Sequence, residues 1–536
     1  MEGQAPSKTL TWLDTAELVW PEFGTSISVL LAFSILILLI IIYRIVYAYY
    51  ISPLRHIPGS FISRITAKRG EIHTILGNMS YLGGADSEKY GDIFVILPNA
   101  ISIGNPMDIR NFLGNPNVAK AHYYKILRFT GIDNTVSMCD TEQALIRHRQ
   151  IGPYFKPTYL AKLETTIMKC GIGSIKQKWN QVLSDSADGK VEINFCNDIL
   201  FASFNIIGTL VYGHQIEELS VNDTATAQWI DTTITYLGFR SMLQLLPKFP
   251  FSFMLKPWES RYSKLSRYIH ESIAWRRKHV GKLAEKGLEH GKPADLLQAF
   301  IDAEDPESKI RMCHEQIHGE CMLMMLAGSD TTAHTLTWAV HMLMLYPQHY
   351  RRAVAEVRSQ FSLAHVITYS DCREHLPFVE ACILESLRLV PVTGGLLPRV
   401  SPKGGTVIQG HFIPEDTLVF INMAVANHHS EFWSRPHEYN PVRFLENNEA
   451  RHNVLTFSYG KRTCPGRQLA WWEMLTILAN ILKDYDMRLP EDYTHLGPKV
   501  LDKHGYPKLM DAQQYIVVKP ANPDRDCRLV ISKAKF

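Results

Sequence analysis

One ten-residue stretch, Phe457-Ser458-Tyr459-Gly460-Lys461-Arg462-Thr463-Cys464-Pro465-Gly466, constrains this chain more than any other. It reads as a loop feeding a helix, with a single cysteine where the helix begins. Pro465 suits a first helical turn, where its missing N–H is no loss. Leu469, Met474, Leu475, Leu478 and Ile481 then recur at helical spacing between Gln468 and Leu482. A thiol at a helix N-terminus meets unpaired N–H groups and the positive end of the dipole, which favour the thiolate, a metal ligand. A lone cysteine is also commonly a small buried hydrophobe, so its neighbours must decide. Gly460 and Gly466 allow tight turning and close approach of a flat ligand. Arg462, two residues before Cys464, is placed to pair with a carboxylate on it.

Phe457, Gly460, Arg462, Cys464 and Gly466 together match F-x-x-G-x-R-x-C-x-G, which resembles the haem-binding loop of the cytochrome P-450 family. Ordinary residue frequencies give such a match in a chain this long about once in 10⁴. The resemblance implies haem b, with Cys464 as the axial ligand of the iron and Phe457, Gly460, Arg462 and Gly466 around the cofactor. It also implies a fold class: mainly α, the cytochrome P-450 fold with a small β-rich lobe, preceded by one N-terminal transmembrane helix.

Three further segments follow the family order. Residues 310–346 read as one long helix ended by Pro347, with apolar flanks that indicate burial. Inside it, Ala327-Gly328-Ser329-Asp330-Thr331-Thr332 matches [A/G]-G-x-[D/E]-T-[T/S]. Polar groups in a buried helix need partners or a task. Gly328 with a following hydroxyl is expected to open the helical hydrogen-bond ladder into a groove. Asp330 and Thr331 are expected to be catalytic, passing protons to bound dioxygen. Next, Glu385-Ser386-Leu387-Arg388 puts an acid and a base on one helix face. By resemblance they join Arg443 of Pro441-Val442-Arg443-Phe444 in a buried structural triad. The family's frequent glutamate at position 442 is valine here, so three members carry over. Arg399, after Pro398, resembles a second arginine for a haem propionate. Counting back from Phe155, Ala144 falls where relatives carry an aromatic and His148 where they carry an arginine. His148 is therefore the propionate candidate on that helix, with Arg147 and Arg149 as open alternatives.

Residues 24–43 form a charge-free run of 20, long enough to span a bilayer. Lys8 precedes the run, whereas Arg44, Arg55, Arg64, Lys68 and Arg69 follow it, which puts the body of the chain in the cytosol. The expected layout is a tail at 1–23, an anchor at 24–50, a proline-rich hinge at 51–60 and a haem domain at 61–536, in the endoplasmic reticulum membrane. Residues 243–258, rich in proline and bulky apolar groups, read either as core or as a surface dipping into lipid. A formal net charge of +3 argues against nucleic-acid binding, and nine scattered cysteines suggest a reducing compartment.

The resemblance implies a monooxygenase acting on a lipophilic substrate (steroid, terpenoid or fatty acid) with O2. The sequence holds no G-x-G-x-x-G unit, so electrons are expected from a separate NADPH-dependent reductase. A haem-thiolate isomerase or dehydratase and a non-enzymatic haem sensor are the rivals; the Asp330-Thr331 pair favours the monooxygenase. Pocket candidates by resemblance are Met322, Leu323, Val392, Thr393 and Leu397.

Overall fold

A computed structural model describes residues 12–129, 131–212, 236, 253, 256–284, 295–394, 396–447 and 449–535. The elements that place the site are, in chain order, α1 (Trp12–Val46), β1 (Ile93–Leu97), β2 (Ala100–Ile103), β3 (Ala119–Lys120), α2 (Thr141–Ile151), β4 (Lys190–Asn194), α3 (Phe195–Tyr212), α4 (Lys256–Ala284), α5 (His314–Leu345), α6 (Pro347–Gln360), α7 (Pro377–Leu389), β5 (Leu396–Val400), β6 (Leu418–Asn422), α8 (Arg467–Asp484), β7 (Tyr485–Arg488) and β8 (Arg528–Lys533). The molecule is mainly helical, with small sheets.

The charge-free run lies inside α1, and the segment Ser28–Ile51, which continues from α1 through the π-helical turn Tyr47–Ile51, is apolar enough to cross a membrane and has none of its most apolar window buried. The helix starts at Trp12, earlier than the expected anchor, and runs through Pro21. A proline inside a helix removes one hydrogen bond, and here it does not end the helix. The connector beyond is docked rather than free. Val95 N–H donates to Pro58 O at 2.8 Å, and Leu54 and Ile57 are buried. A Cβ on Gly59 would stand 2.7 Å from Val95 O, so only glycine lets this backbone lie so close to β1.

The main core gathers around α5. A helix apolar around its whole circumference belongs inside a protein, and α5 is buried almost throughout from Ile317 to Leu345, against α3, α7 and α8. The five-stranded sheet has the order β1-β2-β6-β5-β3, with β2 and β6 parallel and the other neighbours antiparallel. Its role here is to carry β3 and β5 to the site. A three-stranded sheet of order β4-β8-β7 ties the C-terminal segment to the start of α3 and the end of α8.

Residues 243–252, 254 and 255, most of the stretch read as core or as a membrane-dipping surface, lie outside the described residues. Phe253 is exposed.

Candidate functional site

Cys464 precedes α8 by three residues, and the N-cap is Gly466. The loop is pinned from inside: Cys464 N–H donates to Phe457 O at 2.9 Å. Gly460 has φ +72°, and a Cβ there would stand 2.4 Å from Leu113 O, so no other residue fits. Gly466 is a different case, with an ordinary φ of −77°. A Cβ on it would sit 3.9 Å from the sulfur of Cys464, beside the reactive atom rather than in a clash. Ser458 adopts φ +65°, an uncommon conformation for a non-glycine residue, which the two pinned ends of the loop enforce. The Phe457 ring packs on Trp471 and lies under the Arg467 guanidinium, 5.8 Å from it.

The thiol of Cys464 is accessible, unlike the buried Cys196, Cys321, Cys372, Cys382 and Cys527. Enough protein surrounds the sulfur for desolvation to raise its pKa. The backbone N–H groups of Gly466 and Arg467 act the other way and favour the thiolate.

Cations converge beside this loop. Lys120 on β3 is paired in register with Arg399 on β5, two like charges directly opposite. Lys120 Nζ donates to the carbonyls of Thr135 and Val136 at 3.2 and 3.0 Å. Arg399 donates to Tyr124 Oη at 2.8 Å, and Arg462 to the carbonyls of Met138, Cys139 and Asp140 at 3.3–3.5 Å. Among the described residues none of the three makes a salt bridge, although Arg399 is only 2 % exposed. Burial, then Arg399 and Arg462, push Lys120 down to about 7, and burial with Arg399 lowers Arg462. Three buried or half-buried cations without a carboxylate form an anion site.

The helix α2 sends its candidates elsewhere. Arg147 is buried and paired with Glu320 of α5, which also accepts from Thr135 N–H at 2.8 Å. Arg149 pairs with Asp305 at 2.6 Å, and His148 lies on the exposed face. Of the cofactor-binding candidates, the structure brings Arg399 and Arg462 together and leaves His148 apart. A strictly local count from Phe155 could not show this, since the inward face of α2 is set by its ion pair to α5. Lys120 was missed because its signal is a strand pairing across about 280 residues.

On α5 the accessible stripe is Met324, Ala327, Gly328 and Thr331, spaced at 3 and 4 on a helix otherwise buried. Met322 and Leu323, expected at the pocket, are 0 % and 7 % exposed and belong to the core. Val392 is also buried; Thr393 and Leu397 are partly open. The helix shows no break at Gly328. A Cβ there would stand 2.9 Å from Ile207 Cδ1, so this glycine serves the close approach of α3. Thr331 Oγ1 donates to Ala327 O at 2.7 Å. Asp330 points inward, 4 % exposed.

Glu385 and Arg388 are fully buried in a two-pronged pair at 2.8 Å, and Arg443 Nε donates to Glu385 at 3.0 Å. Arg388 also donates to the carbonyls of Asn427, Pro436 and Glu438, and both guanidiniums face the Trp433 ring. The three residues thus clamp the segment leading to the cysteine loop.

The model of the cytochrome P-450 family matches residues 88–499. The chain belongs to that family. Cytochrome P-450 monooxygenase helB1 of Aspergillus fumigatus is 40 % identical over 98 % of this chain and 89 % of its own length. Monooxygenase helB2 of the same fungus is 41 % identical over 92 % of this chain and 97 % of its own. A trichothecene C-15 hydroxylase of Fusarium sporotrichioides is 28 % identical over 88 % and 94 % of the two chains. The crystal structure of a cytochrome P-450 haem domain shares the fold, with TM-score 0.72 at 19 % identity over 89 % of this chain and 98 % of that one. This cytochrome P-450 is therefore an enzyme, a monooxygenase, and the family implies haem with a cysteine thiolate ligand.

The residues present fit that group. An accessible cysteine sits where the backbone N–H groups of Gly466 and Arg467 favour its thiolate, a glycine that no side chain can replace shapes the loop, and three cations without a carboxylate partner among the described residues suit an anion such as the haem carboxylates. Lys120→Met should consequently release haem several-fold faster than wild type, read by transfer to a haem-scavenging apoprotein. The effect should shrink as pH rises through the pKa of Lys120, which burial and then Arg399 and Arg462 lower while a carboxylate beside it would raise it. Haem release unchanged by the substitution would remove Lys120 from the anion site.

Proposed function

We propose that this cytochrome P-450 inserts one atom of O2 into a lipophilic steroid, terpenoid or fatty acid, with electrons from a separate NADPH-dependent reductase in the same membrane. The observation that carries the reading is an accessible Cys464 just before α8, which packs on α5, a helix buried from Ile317 onward except for a stripe that leaves Ala327, Gly328 and Thr331 open. Cys464 holds the iron, Arg399, Arg462 and Lys120 hold the haem carboxylates, and Phe457, Gly460 and Gly466 shape the bed. Bound haem with thiolate ligation supplies the chemistry that favours O–O cleavage.

The chain's own residues supply position and protons. Thr331, with its hydroxyl donating to Ala327 O, offers its lone pairs to a water on the open stripe of α5. Asp330, one residue before, is the nearest ionisable group on α5 to relay protons. The apolar α1 anchors the enzyme in the endoplasmic reticulum membrane, with residues 1–23 as a tail, 24–50 as the anchor, 51–60 as the docked connector and 61–536 as the catalytic domain facing the cytosol. The hydroxylase among the relatives supports C–H hydroxylation as the reaction type.

Thr331→Ala tests the proton assignment. Haem content and substrate binding, read as a Soret shift, should stay within about twofold of wild type. Product per NADPH should fall on the order of tenfold, less than the roughly 10²–10⁴-fold of a general acid–base group because water takes over part of the role. The missing electrons should appear as hydrogen peroxide. Unchanged coupling would remove Thr331 from catalysis.

A further inference from the structure

Asp330 and His334 stand one helical turn apart on α5, and their side chains meet. His334 Nε2 lies 3.1 Å from Asp330 Oδ1, with the two side chains 5 % and 6 % exposed. The common partner for a buried carboxylate is a lysine or arginine, whose charge is fixed. Among the described residues Asp330 has no such ion pair, and its partner is the one side chain able to give up a proton near neutral pH.

The surroundings make this imidazole unusual. Cys196, in the first turn of α3, lies against the ring, and Thr337 of α5 and Cys527, just before β8, surround that thiol. Burial opposes charging of His334, but the Asp330 carboxylate and its hydrogen bond, helped by Cys196, outweigh it and raise the pKa to about 10. The second ring nitrogen, Nδ1, is buried and makes no hydrogen bond of good geometry among the described residues. Buried polar atoms are almost always satisfied, and an exception points to a task.

We propose that His334 is the positioning residue for Asp330 and its immediate proton donor during oxygen activation. The inference rests on the monooxygenase reading given above. In the resting pair an imidazolium faces a carboxylate. Delivery breaks the Nε2–H bond and forms an O–H bond on Asp330, the electron pair remaining on nitrogen. Asp330 then releases that proton to water on the Thr331 side, and the neutral ring regains one from bulk water. One proton enters per cycle and the charge of the pair is restored.

The test uses the full-length, haem-loaded enzyme reconstituted with an NADPH-cytochrome reductase in phosphatidylcholine vesicles, with lauric acid as the added lipophilic probe. His334→Gln keeps a hydrogen-bond donor of similar reach but cannot donate a proton at neutral pH. The variant should bind haem as wild type does, while NADPH-driven oxygen uptake falls at least tenfold. Its solvent deuterium isotope effect should at least double, a change that a purely structural role would not produce. Asp330→Asn should show the same loss with or without His334→Gln, because His334 acts only through Asp330.

If His334→Gln fails to load haem, Asp330→Asn is compared with the neutral double variant Asp330→Asn/His334→Gln. Equal rates and equal isotope effects are expected there, and a fivefold difference would overturn the proposal. A loaded His334→Gln enzyme within twofold of wild type in both rate and isotope effect would also overturn it, leaving the monooxygenase reading intact. Wild type that takes up no oxygen with NADPH and reductase would instead sink that reading, and this inference with it.

Discussion

Arg443→Ala is expected to yield almost no haem-loaded protein. Glu385 is fully buried and accepts from Arg388, Arg443 and the Asn440 N–H. Removing Arg443 leaves Arg388 as its only cationic partner and also frees the Ser434 carbonyl that Arg443 holds at 2.9 Å. Breaking a buried pair by deleting one member typically costs about 3–5 kcal/mol, a large part of the stability of any domain. The loss falls on the segment that leads into the cysteine loop, so cofactor retention should fail before the helical core does. The measurement is haem per protein alongside far-ultraviolet circular dichroism. Arg443→Lys should recover only part of the loading, since an ammonium cannot reproduce the guanidinium fork or its stacking over Trp433. A normally loaded Arg443→Ala enzyme would show that the clamp is dispensable.

Cys464→Ala should abolish activity. Cys464 is the accessible cysteine at the site, and the N–H groups of Gly466 and Arg467 favour its thiolate. Its replacement removes the proposed metal ligand while leaving the Phe457 carbonyl, Gly460 and the cation cluster in place. Some haem should therefore remain associated through its carboxylates. The reduced carbon monoxide complex should lack the red-shifted Soret band that marks thiolate ligation. Persistence of that band in the variant would assign the ligand to another cysteine.

The cysteine loop was legible in the sequence because its constraints are local. Gly460 answers to φ +72° within its own loop, and Cys464 N–H closes that loop on Phe457 O seven residues earlier. The ion pair within Glu385-Ser386-Leu387-Arg388 was legible for the same reason, as an i, i+3 spacing on one helix. What was not legible depends on distant chain. Lys120 meets Arg399 only because β3 and β5 pair. Arg147 turns inward because Glu320 waits on α5, which leaves His148, the residue favoured by counting, outside. Gly328 looked like a break in a helix and is instead a contact for Ile207 of α3. The pairing of Asp330 with His334 was open to an i, i+4 reading, but its burial and the approach of Cys196 depend on how α3 packs.

The source of the inserted oxygen tests the account most directly. The enzyme, a reductase and NADPH are incubated under ¹⁸O2 with a substrate identified by its Soret shift, and the product is weighed by mass spectrometry. A monooxygenase built on Cys464 and the open stripe of α5 predicts one ¹⁸O atom per product and no product without NADPH. Product formed from a peroxide substrate without NADPH, carrying no ¹⁸O, would contradict it and identify an isomerase.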